Sequence, residues 1–339
     1  MTKNYLINGD MNFFQRQAPG TATSRSDNQY GPDRWKILVD TDSVNCQRGS
    51  GRAAKYCAFL TANGSARRFG IVQALEARDT YALRELLNIN NYFARAMVKT
   101  SGNATIHIFV LEWTGTEDAP TMDAVNDWTS TNYTPGNFFK TGFNVLASNS
   151  AINMTSWTGL AAVNVMPSAS GKNLLLFIFT DPPTTGTSLY VTEAQLAPSN
   201  ANYEVDPTPV GEDFARCQRY FYKTYEADTA PGSATAYAGR VGMVAPYNVA
   251  ANAAAYVGIF EPWPVALRTG APSMITLYDA VTGAAGAISV NNEGATRGGA
   301  SFDYYGSLCA SRLHLDTSSA QTITGGQSVY WHVAVEADF

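Results

Sequence analysis

The sequence predicts an all-β protein. An N-terminal jelly-roll β-sandwich spans residues 1–207 and a C-terminal β-sandwich spans 208–339, with a short helical or extended junction between them. Three observations predict this. Short apolar or alternating runs are punctuated by turn residues, among them Asn63-Gly64, Ser101-Gly102-Asn103, Pro135-Gly136-Asn137, Thr282-Gly283 and Gly325-Gly326. Aromatic residues, which suit a pleated half-buried surface, are 12% of the chain, and charged residues only 15%, which excludes disorder. A length of 339 residues suits two cores, and Pro198, Pro207 and Pro209 mark a linker between them.

Taken in order, the opening segment carries Asn4, Asn8, Asp10 and Asn12, too polar for a secretory leader, so a soluble, cytosolically made chain is expected. Gly49-Ser50-Gly51-Arg52 imitates a dinucleotide fingerprint, but without a buried parallel strand before it or a helix after it, a hairpin turn is expected. Residues 79–87, with Leu83, Leu86 and Leu87, read as a short helical turn. Residues 94–99, 104–110 and 189–192 alternate as half-buried strands do, whereas 174–180 is apolar on both faces and reads as a central strand. Residues 211–225 read as a helix with Glu212 and Asp213 in its first turn, or as a helix that becomes a strand at 220–222. Residues 241–260 are uncharged but interrupted by Pro246, Asn248 and Asn252, which fits a buried strand pair rather than a membrane span. Residues 330–335 close the chain as a strand. Trp35 and Trp331 read as core residues.

The net charge of −5 and the absence of a basic run argue against nucleic-acid binding. Four cysteines without a C-x-x-C pair and three scattered histidines make a poor zinc set, and buried thiols are expected, with Cys46 and Cys57 facing each other across a hairpin at most. There is no G-x-S-x-G and no P-loop. Glu76 with Asp79 and Glu117 with Asp118 are the nearest carboxylate pairs, and both read as ordinary surface acids. No catalytic residue is therefore expected. Trp113, Trp128, Tyr133 and Trp157 lie in loop-like, Thr/Asn/Gly-rich surroundings, where an exposed ring stacks on a sugar face; they are the candidate glycan-binding residues. No cofactor is expected, save a structural calcium ion if Asp10 and Glu193 lie on strands that pair.

Several segments together resemble phage tail-fibre-like proteins. Asn4-Tyr5-Leu6-Ile7-Asn8-Gly9-Asp10-Met11, then Gln15-Arg16, then Asp33-Arg34-Trp35 resemble that group's "N-x-x-I-N-G-x-M-x-x-x-Q-R … D-R-W" start. Val191-Thr192-Glu193-Ala194-Gln195-Leu196 is similar to its "V-T-x-x-Q-L-E" strand. The run from Gly211 to Cys217-Gln218-Arg219-Tyr220-Phe221 is similar to its "G-x-E-L-x-x-C-Q-R-Y-Y" segment. Trp263-Pro264-Val265-Ala266-Leu267-Arg268 with Pro272 resembles "F-P-V-x-M-R-x-x-P". The N-terminal half also resembles carbohydrate-binding jelly rolls that open "N-L-x-x-N-G-D-F-E" and often hold calcium near the first strand. Here Gln15 stands where a Glu is usual, and Thr192-Glu193 replaces paired acids.

The resemblance implies a non-enzymatic virion surface protein of a tailed phage, made in the host cytoplasm, of tail-fibre or tail-tip type, binding host-surface polysaccharide. The alternatives it implies are a capsid decoration, head fibre or neck/tail adaptor without a glycan site, and, third, a polysaccharide depolymerase. Its partners would be other virion proteins and its own copies, a trimer above all, with neither nucleic acid nor membrane. The uncharged stretch 141–171 is expected to lie partly against a neighbouring chain.

Overall fold

The computed structural model describes residues 3–53, 55–64, 68–85, 92–181, 186–198, 208–235, 238–245, 248, 254–269, 272–290, 295–298, 300–307, 310–316 and 323–338. For 254–262, 295–298, 300–307 and 310–316 it describes the backbone alone. The chain divides into two compact units. One comprises Met1–Phe14, Gly20–Val210 and Phe339; the other comprises Gln15–Pro19 and Gly211–Asp338.

In the first unit, strands distribute between two antiparallel sheets. Six strands lie side by side in the order β1 (Thr23–Ser26), β3 (Ser43–Ser50), β4 (Tyr56–Ala62), β11 (Ser188–Pro198), β6 (Tyr92–Thr100) and β9 (Thr158–Val165). Five more run β2 (Lys36–Val39), β5 (Phe69–Ala74), β10 (Asn173–Thr180), β7 (Thr105–Trp113) and β8 (Phe143–Ile152). Alternation puts Val44, Leu60, Val98 and Val191 of the first sheet against Ile37, Ile71, Ile108 and Leu176 of the second, with Trp35 fully buried among them. Each such side chain contributes about 1.5–3 kcal/mol on burial. This is the all-β sandwich the sequence predicts.

Strand β10 is buried at every position. Its even-numbered residues 174–178 face the sandwich core, while Leu175, Phe177 and Phe179 join Leu38, Val72, Phe109 and Leu111 on the outer face. That outer face is covered by residues 114–142, which fold back over it with Met122, Ala124, Val125, Phe138 and Phe139. The helical turn is α1 (Ala77–Glu85). The Asp118 carboxylate accepts from the Ala77 amide at 2.6 Å and the Asn173 side-chain amide at 2.9 Å, so it caps the helix. Glu117 accepts from the Tyr81 hydroxyl at 2.6 Å.

Asn8 knots the chain entry. Its side-chain amide donates to the carbonyls of Phe13 (2.9 Å) and Asp33 (3.1 Å), and its carbonyl oxygen accepts from the Phe13 amide. The Trp35 indole donates to the Asn8 backbone carbonyl at 3.2 Å. Asn8 holds φ 55°, a left-handed conformation that asparagine tolerates better than most residues. Gly9 is needed because a β-carbon there would lie 2.2 Å from the Ala194 carbonyl oxygen. Asp33 and Arg34 are buried, and the Arg34 guanidinium donates to the Ala74 carbonyl.

In the second unit, α2 (Val210–Gln218) buries Cys217 and ends before β12 (Phe221–Lys223), so the run is a helix that becomes a strand. Beyond β12 come β13 (Val241–Val244), β14 (Ala254–Pro262), β15 (Met274–Asp279), β16 (Ala287–Val290), β17 (Ala295–Gly298), β18 (Ala300–Ser307), β19 (Ala310–Asp316) and β20 (Ser328–Glu336). The closing strand β20 is central: β12 and β13 pair along one side, β15 and β16 along the other. Strands β14, β19 and β18 form a separate sheet. Trp331 is fully buried.

Gln15–Pro19 belongs with this second unit. Arg16 bonds Glu336 at 3.0 Å and Asp338 at 2.5 Å, and its guanidinium lies 4.1 Å from the Phe221 ring centroid. The Lys223 ammonium donates to the Gln15 carbonyl at 2.8 Å. Arg219 accepts through its backbone carbonyl from the Arg268 amide, and the Arg268 side chain donates to the Ala337 and Asp338 carbonyls. Gln218 ends α2.

Two local expectations fail. Residues 241–260 are not a strand pair, since β13 pairs β20 while β14 pairs β19; Pro246 and Asn252 lie outside the described residues. Cys46 and Cys57 do not face each other: Cys46 stands opposite Leu60 and points into the core, and Cys57 stands opposite Gly49 on the other face. Cys46, Cys57 and Cys217 are buried and form no disulfide, and Cys309 lies outside the described residues. Among the described residues no helix is long and apolar enough to cross a membrane.

Replacing Asn8 by Ala removes three hydrogen bonds at once, to the Phe13 amide and to the Phe13 and Asp33 carbonyls. Urea unfolding of N8A should show a loss of about 2–3 kcal/mol, well above the cost of an exposed polar substitution.

Candidate functional site

The four candidate rings divide between the two sheets. Trp113 is the last residue of β7 rather than a loop residue, and Gly115 and Gly142 leave room for its ring, since β-carbons there would lie 2.2 and 2.9 Å from it. Trp128 stands edge-on to Phe138, Phe177 and Phe179 at centroid distances of 5.7, 6.1 and 6.1 Å. Tyr133 packs on Phe138 at 4.9 Å and on Phe109 at 5.3 Å. These three rings are half-buried parts of the cover over the five-stranded sheet. The physical reason is local: 114–142 carries enough apolar side chains to fold onto the sheet, and its rings follow. Only Trp157 belongs to the other sheet.

The cover is pinned by a polar cluster. Arg68 donates to the carbonyls of Trp128 (2.5 Å) and Ser130 (2.7 Å) and lies 3.1 Å from Asp181. Asp181 also meets His107 at 2.9 Å, and the Tyr133 hydroxyl at 3.3 Å. Burial raises the Asp181 carboxyl's pKa, but the hydrogen bond from His107 and the charges of His107 and Arg68 outweigh it and hold the group below the ordinary carboxylate value. Desolvation, and then the Asp181 charge, pushes the Tyr133 phenol up. Among the described residues His107 has Asp181 and Tyr133 as its hydrogen-bond partners, so this Asp–His pair helps to anchor the cover.

The outer face of the six-stranded sheet is different. Register puts Gln47 opposite Phe59, Phe59 opposite Tyr190, and Tyr190 opposite Lys99; Trp157 comes one residue before β9, whose Thr158 stands opposite Val98. These side chains form one row across β3, β4, β11 and β6 to the start of β9. Phe59 and Tyr190 stack at 4.6 Å with planes 5° apart, and Trp157 meets Tyr190 edge-on at 6.3 Å. The Lys99 ammonium lies 4.4 Å from the Tyr190 centroid and 5.4 Å from that of Trp157. Gly49 makes room for the row, as a β-carbon there would lie 2.9 Å from the Phe59 β-carbon. All four large side chains are half-buried and are held by rigid strands or a strand end. Phe59 and Tyr190 were missed from sequence. The signal was present: in Cys57-Ala58-Phe59-Leu60 and Leu189-Tyr190-Val191 the aromatic residue alternates away from the apolar core residues.

Asp10 and Glu193 do come together, because the Ala194 amide donates to the Gly9 carbonyl at 2.9 Å. The Lys55 ammonium lies 3.8 Å from an oxygen of each, and Arg52 lies 3.7 Å from Glu193. Burial first, and then the Glu193 charge, raises the Asp10 pKa against the opposing pull of Lys55. Calcium takes six to eight oxygen ligands. Two carboxylates already bridged by an ammonium do not make that set, and among the described residues no cluster of three or more His, Cys, Asp or Glu side chains is placed to hold a metal.

No known protein family matches the chain, and no curated protein sequence matches it. Among solved structures it is similar to a family 61 carbohydrate-binding module in complex with β-1,4-galactotriose (11% identity, TM-score 0.33, 58% of this chain and 99% of that one). It is also similar to the C-terminal family 22 carbohydrate-binding module of a Clostridium thermocellum xylanase (13%, 0.32, 56% and 99%). A third is the enzymatically active domain of tailspike protein 4 of bacteriophage CBA120 (9%, 0.33, 58% and 21%).

Two outcomes follow from this geometry. EDTA should leave the Tm unchanged, since the Lys55 ammonium lies between the Asp10 and Glu193 carboxylates where a metal ion would have to sit. A carboxylate with a depressed folded-state pKa stabilises above its unfolded value, near 3.9, and that stabilisation is lost as pH falls through the folded value. The Tm gap between the native chain and D181N should therefore be widest near neutral pH and shrink below about pH 4.

Proposed function

We propose that this chain is a non-catalytic glycan-binding protein, and that the row Phe59, Tyr190, Lys99 and Trp157 is the surface that meets the glycan. One observation carries the reading: three aromatic rings and a cation stand in line, each half-exposed, on the outer face of the six-stranded sheet. Flat rings stack on the apolar face of a pyranose, and rings fixed on strands lose little entropy when they do so. The other sheet offers no such face, its rings being engaged by 114–142. The ordered sequence motifs support placing the protein on the surface of a tailed-phage virion, as a tail-fibre or tail-tip component assembled with other virion proteins.

One observation favours the structural alternative, a decoration, head-fibre or adaptor role. Strands β8 and β9 are the terminal strands of the two sheets, and both lie in the uncharged stretch 141–171, where Ile152 is 64% and Met166 58% exposed. Long uncharged edges invite pairing with another chain. A homo-oligomer, a trimer above all, would cover them.

W157A and Y190A should each weaken binding to host-cell polysaccharide about thirtyfold, about 2 kcal/mol, with unchanged circular dichroism. W113A and W128A should lower the Tm instead. Undiminished binding by the W157A/Y190A double variant would remove the row as the site and favour the structural role.

A further inference from the structure

We propose that the glycan taken by this row is anionic: a polymer whose pyranose units carry a carboxylate or sulfate that Lys99 and Arg95 neutralise. The inference rests on the glycan-binding reading and adds the class of sugar. It comes from charge. The chain as a whole is acidic, at −5, yet the six strands of this sheet carry Arg25, Arg48, Arg95 and Lys99 against a single acid, Glu193. That acid is engaged by Arg52 and Lys55 at the turn between β3 and β4.

Two of the four cations share the outer face with the rings. On β6, Arg95 and Lys99 have the same parity, opposite to the core residues Ala94, Ala96 and Val98. The contacts of Lys99 are with the Tyr190 and Trp157 rings, and Arg95 reaches Met97 sulfur at 3.5 Å; neither is ion-paired with a described residue. Gly159 on β9 leaves the space in which the Arg95 guanidinium lies, since a β-carbon there would be 2.9 Å from it. Four residues of strand separate the two cations by about 13 Å along β6, so an extended polymer crossing the sheet edge-to-edge or along β6 meets at least one of them. The rings hold the ammonium beside the stacking platform by cation–π attraction.

This arrangement discriminates. A neutral sugar stacked on Tyr190 and Trp157 would strip water from Lys99 and offer only hydroxyls in return. A carboxylate or sulfate on the same ring supplies a charge-assisted bond where the ammonium already sits. Among the described residues no acid pairs with Lys99 or Arg95, so both cations are available to an anionic polymer.

Four polymers test the proposal with the full chain: polygalacturonate and its carboxyl-reduced neutral form, and dextran sulfate and dextran. Binding to at least one charged member should be about tenfold or more tighter than to its neutral partner, and the gap should narrow between about 50 and about 500 mM NaCl. The two pairs separate carboxylate from sulfate. K99M, which keeps the packing against the rings, should abolish the preference; K99R should retain it; W157A should weaken charged and neutral binding alike. Equal binding to charged and neutral partners overturns the anionic inference and leaves the glycan reading standing. A preference that survives K99M/R95M overturns the assignment to these two residues. Failure to bind all four polymers also removes the anionic inference, and a neutral panel of xylan, galactan and β-glucan then tests the glycan reading alone.

Discussion

The burial of Phe109, Phe177 and Phe179 under residues 114–142 is the interaction on which the first unit's surface depends. A sheet with large apolar side chains on both faces needs two apolar neighbours. The sandwich core is one, and the long connection between β7 and β8 is the other. That connection is fixed at its root by Trp113 between Gly115 and Gly142, and at its far side by Arg68, which binds two of its carbonyls. The cost of ordering so long a connection, on the order of 1–2 kcal/mol per residue of backbone, is offset by the apolar area it buries. With that face closed by the connection, the aromatic row of Phe59, Tyr190 and Trp157 stands instead on the outer face of the six-stranded sheet.

The fold was legible where periodicity was strong. The apolar run of β10 announced a strand buried on both faces, and alternation located β6, β7 and β11. What stayed hidden was what covers β10. Local composition around Trp128 and Tyr133, rich in Thr, Asn and Gly, reads as an exposed loop, yet Phe138, Phe139 and Val125 draw the same segment down onto the sheet. Tertiary burial overrode local polarity there. One ring of the candidate site's three was legible for the converse reason. Trp157 stood out in a polar turn, whereas Phe59 and Tyr190 were masked by the apolar residues beside them and emerge only once register places them opposite each other.

The charge pattern of the first unit shows how a mildly acidic chain presents a basic face. Glu193, the lone acid on the six-stranded sheet, sits at a β-bulge with φ 49° and turns toward Lys55 and Arg52. That bulge also brings β11 against Gly9. One backbone irregularity thus serves the chain entry and removes a carboxylate from the neighbourhood of the rings.

Arg16 and the segment around it give the chain an order of events. Arg16 is made well before its partners Glu336 and Asp338, which follow it by 320 and 322 positions. A nascent chain that has already built its first sandwich must still hold Gln15–Pro19 available until β20 is made. A product truncated before β20 can therefore form the first unit's core but lacks both of the carboxylates, Glu336 and Asp338, that Arg16 grips in the finished second unit.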